Sequence, residues 1–385
     1  MTTKTVLVLG GGTGGLVAAR ALRRRLATGD RVVLVERDPI YRFAPSFLWV
    51  MSGSRRVEQI SGDIRGLRRR GIEVVEASIE GIDPQRQRVA TSAGDLSYDR
   101  LVVALGAELA PQTLPGFSEG AHNLYTLEGA EAAGQALAGL ERGRVAVVVS
   151  RLPYKCPAAP YEAAFLAEAL LRKRGVREGV TIDLYTPEPL PMPTAGEDVG
   201  RAVVGMLEAR GISFHPQQSV ERIDAPARRL VFADGAQVGY DVLIGIPPHR
   251  APAAVAESGL AGPSGFVPVD RHSLATGIEG VHAIGDVTQI PLAEGKFMLP
   301  KAGVFAHAEA GVVAERIAFE LAGRASRAAF DGHGACFIEL GDRAAGYASG
   351  DFYAEGAPRI RMRRPGPHWH LAKIALERYW MRRWF

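Results

Sequence analysis

Cys156 has the surroundings that most plainly suggest chemistry. It sits in Lys155-Cys-Pro-Ala-Ala-Pro-Tyr-Glu162, just ahead of a helix predicted from near Tyr161 to about Arg174. A helix N-terminus and a neighbouring lysine both favour thiolate, so the thiol is expected to have a lowered pKa and to be a nucleophile. Glu162, early in the same helix, is placed to relay a proton. The other cysteine, Cys336, lies in Gly334-Ala-Cys-Phe-Ile-Glu-Leu-Gly341, which reads as a strand. A lone cysteine there is commonly a small apolar filler, and only chemistry at Cys156 gives it further interest. Two cysteines exclude a disulfide framework and a cysteine-rich metal site, and no metal is expected.

A second set of residues suggests nucleotide binding. Thr5-Val-Leu-Val-Leu9 reads as a buried strand, followed by Gly10-Gly-Gly-Thr-Gly-Gly15, a helix over Leu16 to Leu26, and a strand Arg31 to Val35 that ends at Glu36. This is the order of a dinucleotide-binding βαβ unit. Gly10 permits the tight turn, Gly12 lets the backbone approach a pyrophosphate, and Gly15 allows the helix to pack closely on the strand. Free N–H groups at the helix start meet the phosphates, and Glu36 accepts from the ribose hydroxyls, which favours FAD or NAD over NADP. Two later segments favour FAD. Tyr98 to Gly106 is a strand running into small residues, and Thr276 to Asp286 ends an apolar strand in Gly285-Asp286. The latter resembles the second FAD fingerprint of flavoproteins with two dinucleotide domains.

The elements between these segments form a second unit. The strand Arg144 to Val149 opens another Rossmann-like pattern, where an NADH domain would continue with a glycine turn. Here Ser150 to Glu162 contains no glycine, and Pro153, Pro157 and Pro160 remove backbone donors from the turn, so NADH is disfavoured as electron donor. A strand Val180 to Tyr185, a helix Val199 to Arg210 and strands near Val231 and Val242 complete the unit. The fold expected is α/β: an FAD domain (1–110 and 264–324) interrupted by a second Rossmann-like domain carrying Cys156 (111–263). A C-terminal extension (325–385) follows.

Composition bounds the remaining classes. At 47% hydrophobic and 23% charged residues the chain is globular, and 46 Lys and Arg against 42 Asp and Glu give a net charge of +4, no profile for nucleic acid. No export signal opens the sequence and no apolar run reaches membrane-spanning length, so a cytoplasmic chain, peripheral on the inner face of the plasma membrane, is expected. Pro365-Gly-Pro367 breaks the chain before a final helix, His368 to Phe385. Three of the four tryptophans (Trp369, Trp380, Trp384) lie there among Lys373, Arg378, Arg382 and Arg383. Aromatic residues beside basic ones suit a membrane interface, and such a tail is compatible with a homo-oligomer seated on lipid.

On these residues the chain resembles the sulfide:quinone oxidoreductases and the flavoprotein subunit of flavocytochrome c sulfide dehydrogenase. The resemblance runs over essentially the whole chain. It rests on Gly10-x-Gly12-x-x-Gly15, Tyr41-Arg-Phe-Ala-Pro-Ser46, the Cys156 to Glu162 segment, Asp241 to Pro252, Gly285-Asp286, Pro300-Lys-Ala-Gly303, the Cys336 strand and the Leu376-Glu-Arg-Tyr-Trp380 ending. It implies that Cys156 and Cys336 are a redox pair on the flavin face and that Lys301 neighbours the flavin. The FAD contacts it implies are Gly10, Gly12, Thr13, Gly14, Gly15, Glu36, Arg37, Pro45, Ala104, Gly106, Gly285, Asp286 and Lys301. The implied reaction is attack of hydrosulfide on the cysteine disulfide, leaving a persulfide and a thiolate. Electrons then pass to FAD and on to quinone. Tyr125 stands where many relatives carry a flavin-tethering cysteine, so non-covalent FAD is expected. Gly129 and Ala195 replace histidines of those relatives, which leans toward the flavocytochrome subunit and a cytochrome acceptor. The missing haem motif and the tail point back to quinone. A type II NADH dehydrogenase is the alternative by fold, weakened by the missing second glycine turn.

Overall fold

The computed structural model describes residues 3–292 and 295–385. Met1 and Thr2, which open the segment read as lacking an export signal, lie outside the described residues.

Two parallel five-stranded sheets carry the architecture. The first runs in the order Val281–Ala283, Arg100–Val103, Thr5–Leu9, Arg31–Glu36, Glu73–Glu76. Val6 to Leu9 are fully buried, as near-continuous apolar strands must be when both sheet faces are covered. The helices Thr13–Arg23 and Gly303–Leu321 pack together against this sheet. Its edge strand Val281–Ala283 is supplied from beyond the second sheet in sequence, so the first unit is indeed interrupted. The second sheet runs His122–Asn123, Val242–Ile246, Gly143–Val149, Val180–Tyr185, Ile212–His215. The fold is therefore α/β with two Rossmann-like sheets.

Boundaries shift by a few residues for local reasons. The first helix starts at Thr13 rather than Leu16, because Gly12 caps it and the following glycines are already helical. The cysteine-bearing segment enters its helix at Ala159 rather than Tyr161, with Pro160 in the first turn, where a missing N–H costs nothing. The tail forms a three-stranded antiparallel sheet, His333–Gly341, Ala344–Asp351 and Arg359–Gly366, followed by the helix Pro367–Trp384. Pro365 does not break this last strand as expected: the strand is an edge, where a missing donor is tolerated. Among the described residues no helix is long and apolar enough to cross a membrane, and no group of side chains is arranged to hold a metal.

Candidate active site

The glycine turn is built to admit a ligand. Gly10 has φ +98°, and a Cβ there would stand 2.5 Å from the Ala104 carbonyl oxygen. A Cβ on Gly15 would lie 1.8 Å from the Gly10 carbonyl oxygen, so helix and strand can approach only with glycine. Gly12, by contrast, faces open space and caps the helix without a side-chain bond, leaving N–H groups at the helix start for an anion. A cleft of about 410 Å³ runs along this turn. Gly10, Gly12, Thr13, Gly14, Glu36, Arg37, Ala104, Gly106, Gly285 and Asp286 line it, with Lys155. Gly15 contributes through packing behind the cleft, and Pro45, in the short turn Ala44–Ser46, does not line it. The Glu36 carboxylate accepts from Gly11 N (2.6 Å) and Asp38 N (3.1 Å), which fixes it at the end of the second strand. This donor set and cradle fit a dinucleotide pyrophosphate and ribose, and FAD is the cofactor.

The second Gly-Asp segment closes the cleft. Gly285 N donates to the buried Glu309 carboxylate (2.6 Å), and burial pushes Glu309 up to about 7. Lys301 is buried beside it, donating to the carbonyl oxygens of Asp286 (2.6 Å) and Thr288 (3.1 Å), with its ammonium 3.5 Å from the Phe266 ring centroid. Burial lowers Lys301 to about 8 against the pull of Asp286 and Glu309.

Cys156 occupies the junction between this cleft and a second cavity. Its predecessor Lys155 lines the cleft, and its successor Pro157 lines an apolar cavity of about 480 Å³ whose wall also contains Cys336 and Lys301. Cys156 takes a left-handed conformation (φ +51°), and its N–H donates to the Lys301 carbonyl oxygen at 2.7 Å. The Tyr125 hydroxyl donates to the Lys155 carbonyl oxygen at 2.6 Å, so the position lacking the tethering cysteine instead braces the cysteine turn. Cys336, on the strand His333–Gly341, is carried by a sheet that packs against the cysteine helix. Both thiols are free and partly exposed.

The expected lowering of the Cys156 thiol is overturned. Burial, with Glu162 and Cys336 beside it, pushes Cys156 well above its ordinary value, and burial and Glu162 push Cys336 up to about 11. The helix start and Lys155, read from sequence as the activating groups, are outweighed. Lys155 points over the Tyr125 ring, 5.9 Å from its centroid. The cation that does favour a thiolate at both cysteines is Lys373, from the C-terminal helix.

Lys373, which the sequence pattern places among solvent- or lipid-facing basic residues, instead turns inward. It is buried and donates to Glu162 Oε1 at 2.9 Å, where Glu339 N also donates (2.8 Å). Burial works against its charge, but Glu162 and Glu339 outweigh it and hold the ammonium above its ordinary range. His370 pairs with Glu339 at 3.0 Å, and Trp49 lies beneath Lys373 (5.1 Å) and Arg55 (4.6 Å). The tryptophans expected at a membrane interface likewise pack on the protein. Trp380 and Trp384 are buried against one another at 5.4 Å, Trp380 beside Tyr41 and Phe43, and Trp369 stacks on Tyr347 at 4.3 Å. Their large apolar area is used in docking the helix on the core. The outward face instead presents Leu371, Leu376 and Tyr379 with Arg378 and Arg382.

The comparisons with known proteins agree with this architecture. The model of the pyridine nucleotide-disulphide oxidoreductase family matches residues 4–152 and 156–310, and the chain belongs to that family. It is an oxidoreductase. Over 98% of its length, and 90% of the relative's, it is 28% identical to the sulfide-quinone reductase of Aquifex aeolicus (strain VF5). It is 24% identical to the mitochondrial sulfide:quinone oxidoreductase of Mus musculus over 91% of this chain and 78% of that one. The X-ray structure of the Aquifex aeolicus sulfide:quinone oxidoreductase superposes with a TM-score of 0.89 at 26% identity, covering 98% of this chain and 90% of the other.

Proposed function

We propose that the chain oxidises sulfide to zero-valent sulfur or polysulfide through Cys156 and Cys336 and passes the electrons, by way of FAD, to a membrane quinone. The observation that carries the reading is the position of Cys156 at the junction of the FAD cleft and an apolar cavity containing Cys336. In this reading residues 1–110 and 264–324 hold FAD, 111–263 carry the first cysteine, and 325–385 supply the second together with the membrane contact.

FAD, when bound non-covalently along Gly10, Gly12, Thr13, Gly14, Glu36, Arg37, Ala104, Gly106, Gly285 and Asp286, with Gly15 packed behind and Lys301 beside the cleft, supplies the two-electron carrier. The chain's own residues do the rest. Hydrosulfide attacks one sulfur of the oxidised cysteine pair, a new S–S bond forms as the Cys–Cys bond breaks, and a persulfide and a thiolate remain. Lys373 stabilises the thiolate, since an ammonium brought close in a buried site favours the anion. Glu162, hydrogen-bonded to that ammonium, relays a proton beside Cys156. The apolar wall of Phe305, Phe352, Met192 and Ile338 suits uncharged sulfur better than water. The exposed Leu371, Leu376 and Tyr379, flanked by Arg378 and Arg382, support peripheral contact with an anionic membrane, where quinone is found.

A protein acceptor such as a cytochrome is the second reading, favoured by the tryptophans packing inward rather than toward lipid. Anaerobic titration of the purified holoenzyme with sulfide and, separately, with NADH tests the donor. Flavin bleaching by sulfide alone is expected; bleaching by NADH alone overturns the reading. Quinone reduction on anionic vesicles, lost when the exposed Leu371, Leu376 and Tyr379 are all replaced by serine while sulfide still bleaches the flavin, separates quinone from a soluble acceptor.

A further inference from the structure

One buried acid takes no part in the scheme above. Glu188 follows the strand Val180–Tyr185, which pairs with Gly143–Val149 across the helix crossover, the place where an NADH-binding unit carries its ribose-binding acid. Its Oε2 is held by three hydroxyls: Tyr161 at 2.6 Å, Tyr154 at 2.9 Å and Thr186 at 3.1 Å. Tyr154 and Tyr161 both come from the glycine-free segment around Cys156, and Tyr154 also reaches the Pro157 carbonyl oxygen at 3.2 Å. The side that a nucleotide would approach is therefore filled from within. Glu188 is 3% exposed, and it and Tyr154 form part of the wall of the apolar cavity that holds Cys336. The carboxylate also accepts a backbone hydrogen bond from Met192, and no cation among the described residues pairs with it.

Glu162 and Glu188 thus flank the cysteine segment in opposite environments. Glu162 is tied to a buried ammonium; Glu188 has hydroxyls and no countercharge. Burial raises Glu188 above the ordinary carboxyl range, and the hydroxyls of Tyr161, Tyr154 and Thr186 offset part of that rise. Two acids whose environments differ in this way divide proton handling between them.

We propose that Glu188 is the proton acceptor for hydrogen sulfide entering the apolar cavity. The inference rests on the sulfide reading above. Oxidation of one hydrogen sulfide to zero-valent sulfur releases two electrons and two protons. Neutral hydrogen sulfide partitions into an apolar cavity more readily than the anion. As its sulfur bonds to one cysteine sulfur, the Cys–Cys bond breaks, the electron pair stays on the other cysteine as thiolate, and the first proton passes to the Glu188 carboxylate. The persulfide S–H gives up the second proton on the Glu162 side as its outer sulfur departs as zero-valent sulfur, and the two electrons left on the cysteine pair pass to FAD as the Cys–Cys bond re-forms. The Tyr154 and Tyr161 hydroxyls, both donating to Oε2, hold the carboxylate in place and stabilise its ionised form.

The test is anaerobic stopped-flow reduction of the holoenzyme flavin by saturating sulfide across the pH range, for wild type and Glu188→Gln. Expected is a fall in the reduction rate constant of about 100-fold, loss of the acid-side decline present in wild type, and unchanged FAD content and dithionite reduction. A Gln variant within twofold of wild type, or one slowed equally at every pH with the acid-side decline retained, overturns the proposal. If Glu188→Gln does not retain FAD, Tyr154→Phe serves. Removing one stabilising hydroxyl should move the acid-side midpoint to higher pH, and an unmoved midpoint is contradictory. A wild-type flavin that sulfide does not bleach is a different failure, that of the sulfide reading itself.

Discussion

Two turns occupy the same place in the two sheets, each leaving the first strand of a Rossmann-like unit for its helix, and they are built from opposite materials. The first, Gly10 to Gly15, removes side chains until a pyrophosphate fits against bare backbone. The second, Ser150 to Glu162, fills that space with Tyr154, three prolines and a cysteine in a left-handed conformation. The acids after the second strands diverge in the same sense. Glu36 is held by two backbone N–H groups and faces the cleft, whereas Glu188 is held by hydroxyls of the rebuilt turn. One scaffold has thus given a turn stripped of side chains and a turn packed with them, and in the proposed function the second places the reacting cysteine beside the cofactor of the first.

The comparison is broken most completely at Gly15. Gly15→Val would drive a side chain into the Gly10 carbonyl, and the protein is expected to lose FAD altogether, read as flavin absorbance after purification. The rebuilt turn depends on charge rather than space. Lys373→Met leaves Glu162 buried without its ammonium and is expected to cost about 3–5 kcal/mol in denaturant unfolding. Adding Glu162→Gln should recover much of that loss; a double variant no more stable than the single one would mean that the ion pair is not the cause. A smaller effect is expected where Gly285-Asp286 closes the first turn. Glu309 titrates near 7 in the fold and near 4.5 unfolded, so the unfolded chain loses its proton first as pH rises. Stability therefore falls between about pH 4.5 and 7, by up to about 3 kcal/mol. Glu309→Gln should flatten the melting temperature across that window, and an unchanged slope would assign it elsewhere.

How far each turn was legible follows from how local it is. Thr5 to Glu36 holds strand, turn, helix, strand and acid within one stretch, and the steric demand on Gly15 arises within it, against the Gly10 carbonyl. Most of the residues predicted there line the cleft, whereas Gly15, Pro45 and Lys301 lie off it. The cysteine turn could be found, by its missing glycines, but its electrostatics could not. The groups that govern Cys156 include Glu162, six residues on, but also Cys336 and Lys373, brought in by the C-terminal sheet and helix. Lys373 lies 211 residues from the carboxylate it pairs with. Its helix carries basic and aromatic residues on several faces, and only the packing decides that Trp380, Trp384 and Lys373 turn inward while Leu371 and Tyr379 turn out. Glu188 had a signal, an acid just past a second strand, but its tyrosine partners are visible only in the fold.

The most direct test of the division of labour between the two turns is anaerobic mixing of wild type and Cys156→Ser with sulfide, following the flavin absorbance in time. The account predicts that the variant keeps its FAD and is still reduced by dithionite, while its reduction by sulfide falls by about a thousandfold or more. Equal rates of reduction by sulfide in the two proteins would contradict it.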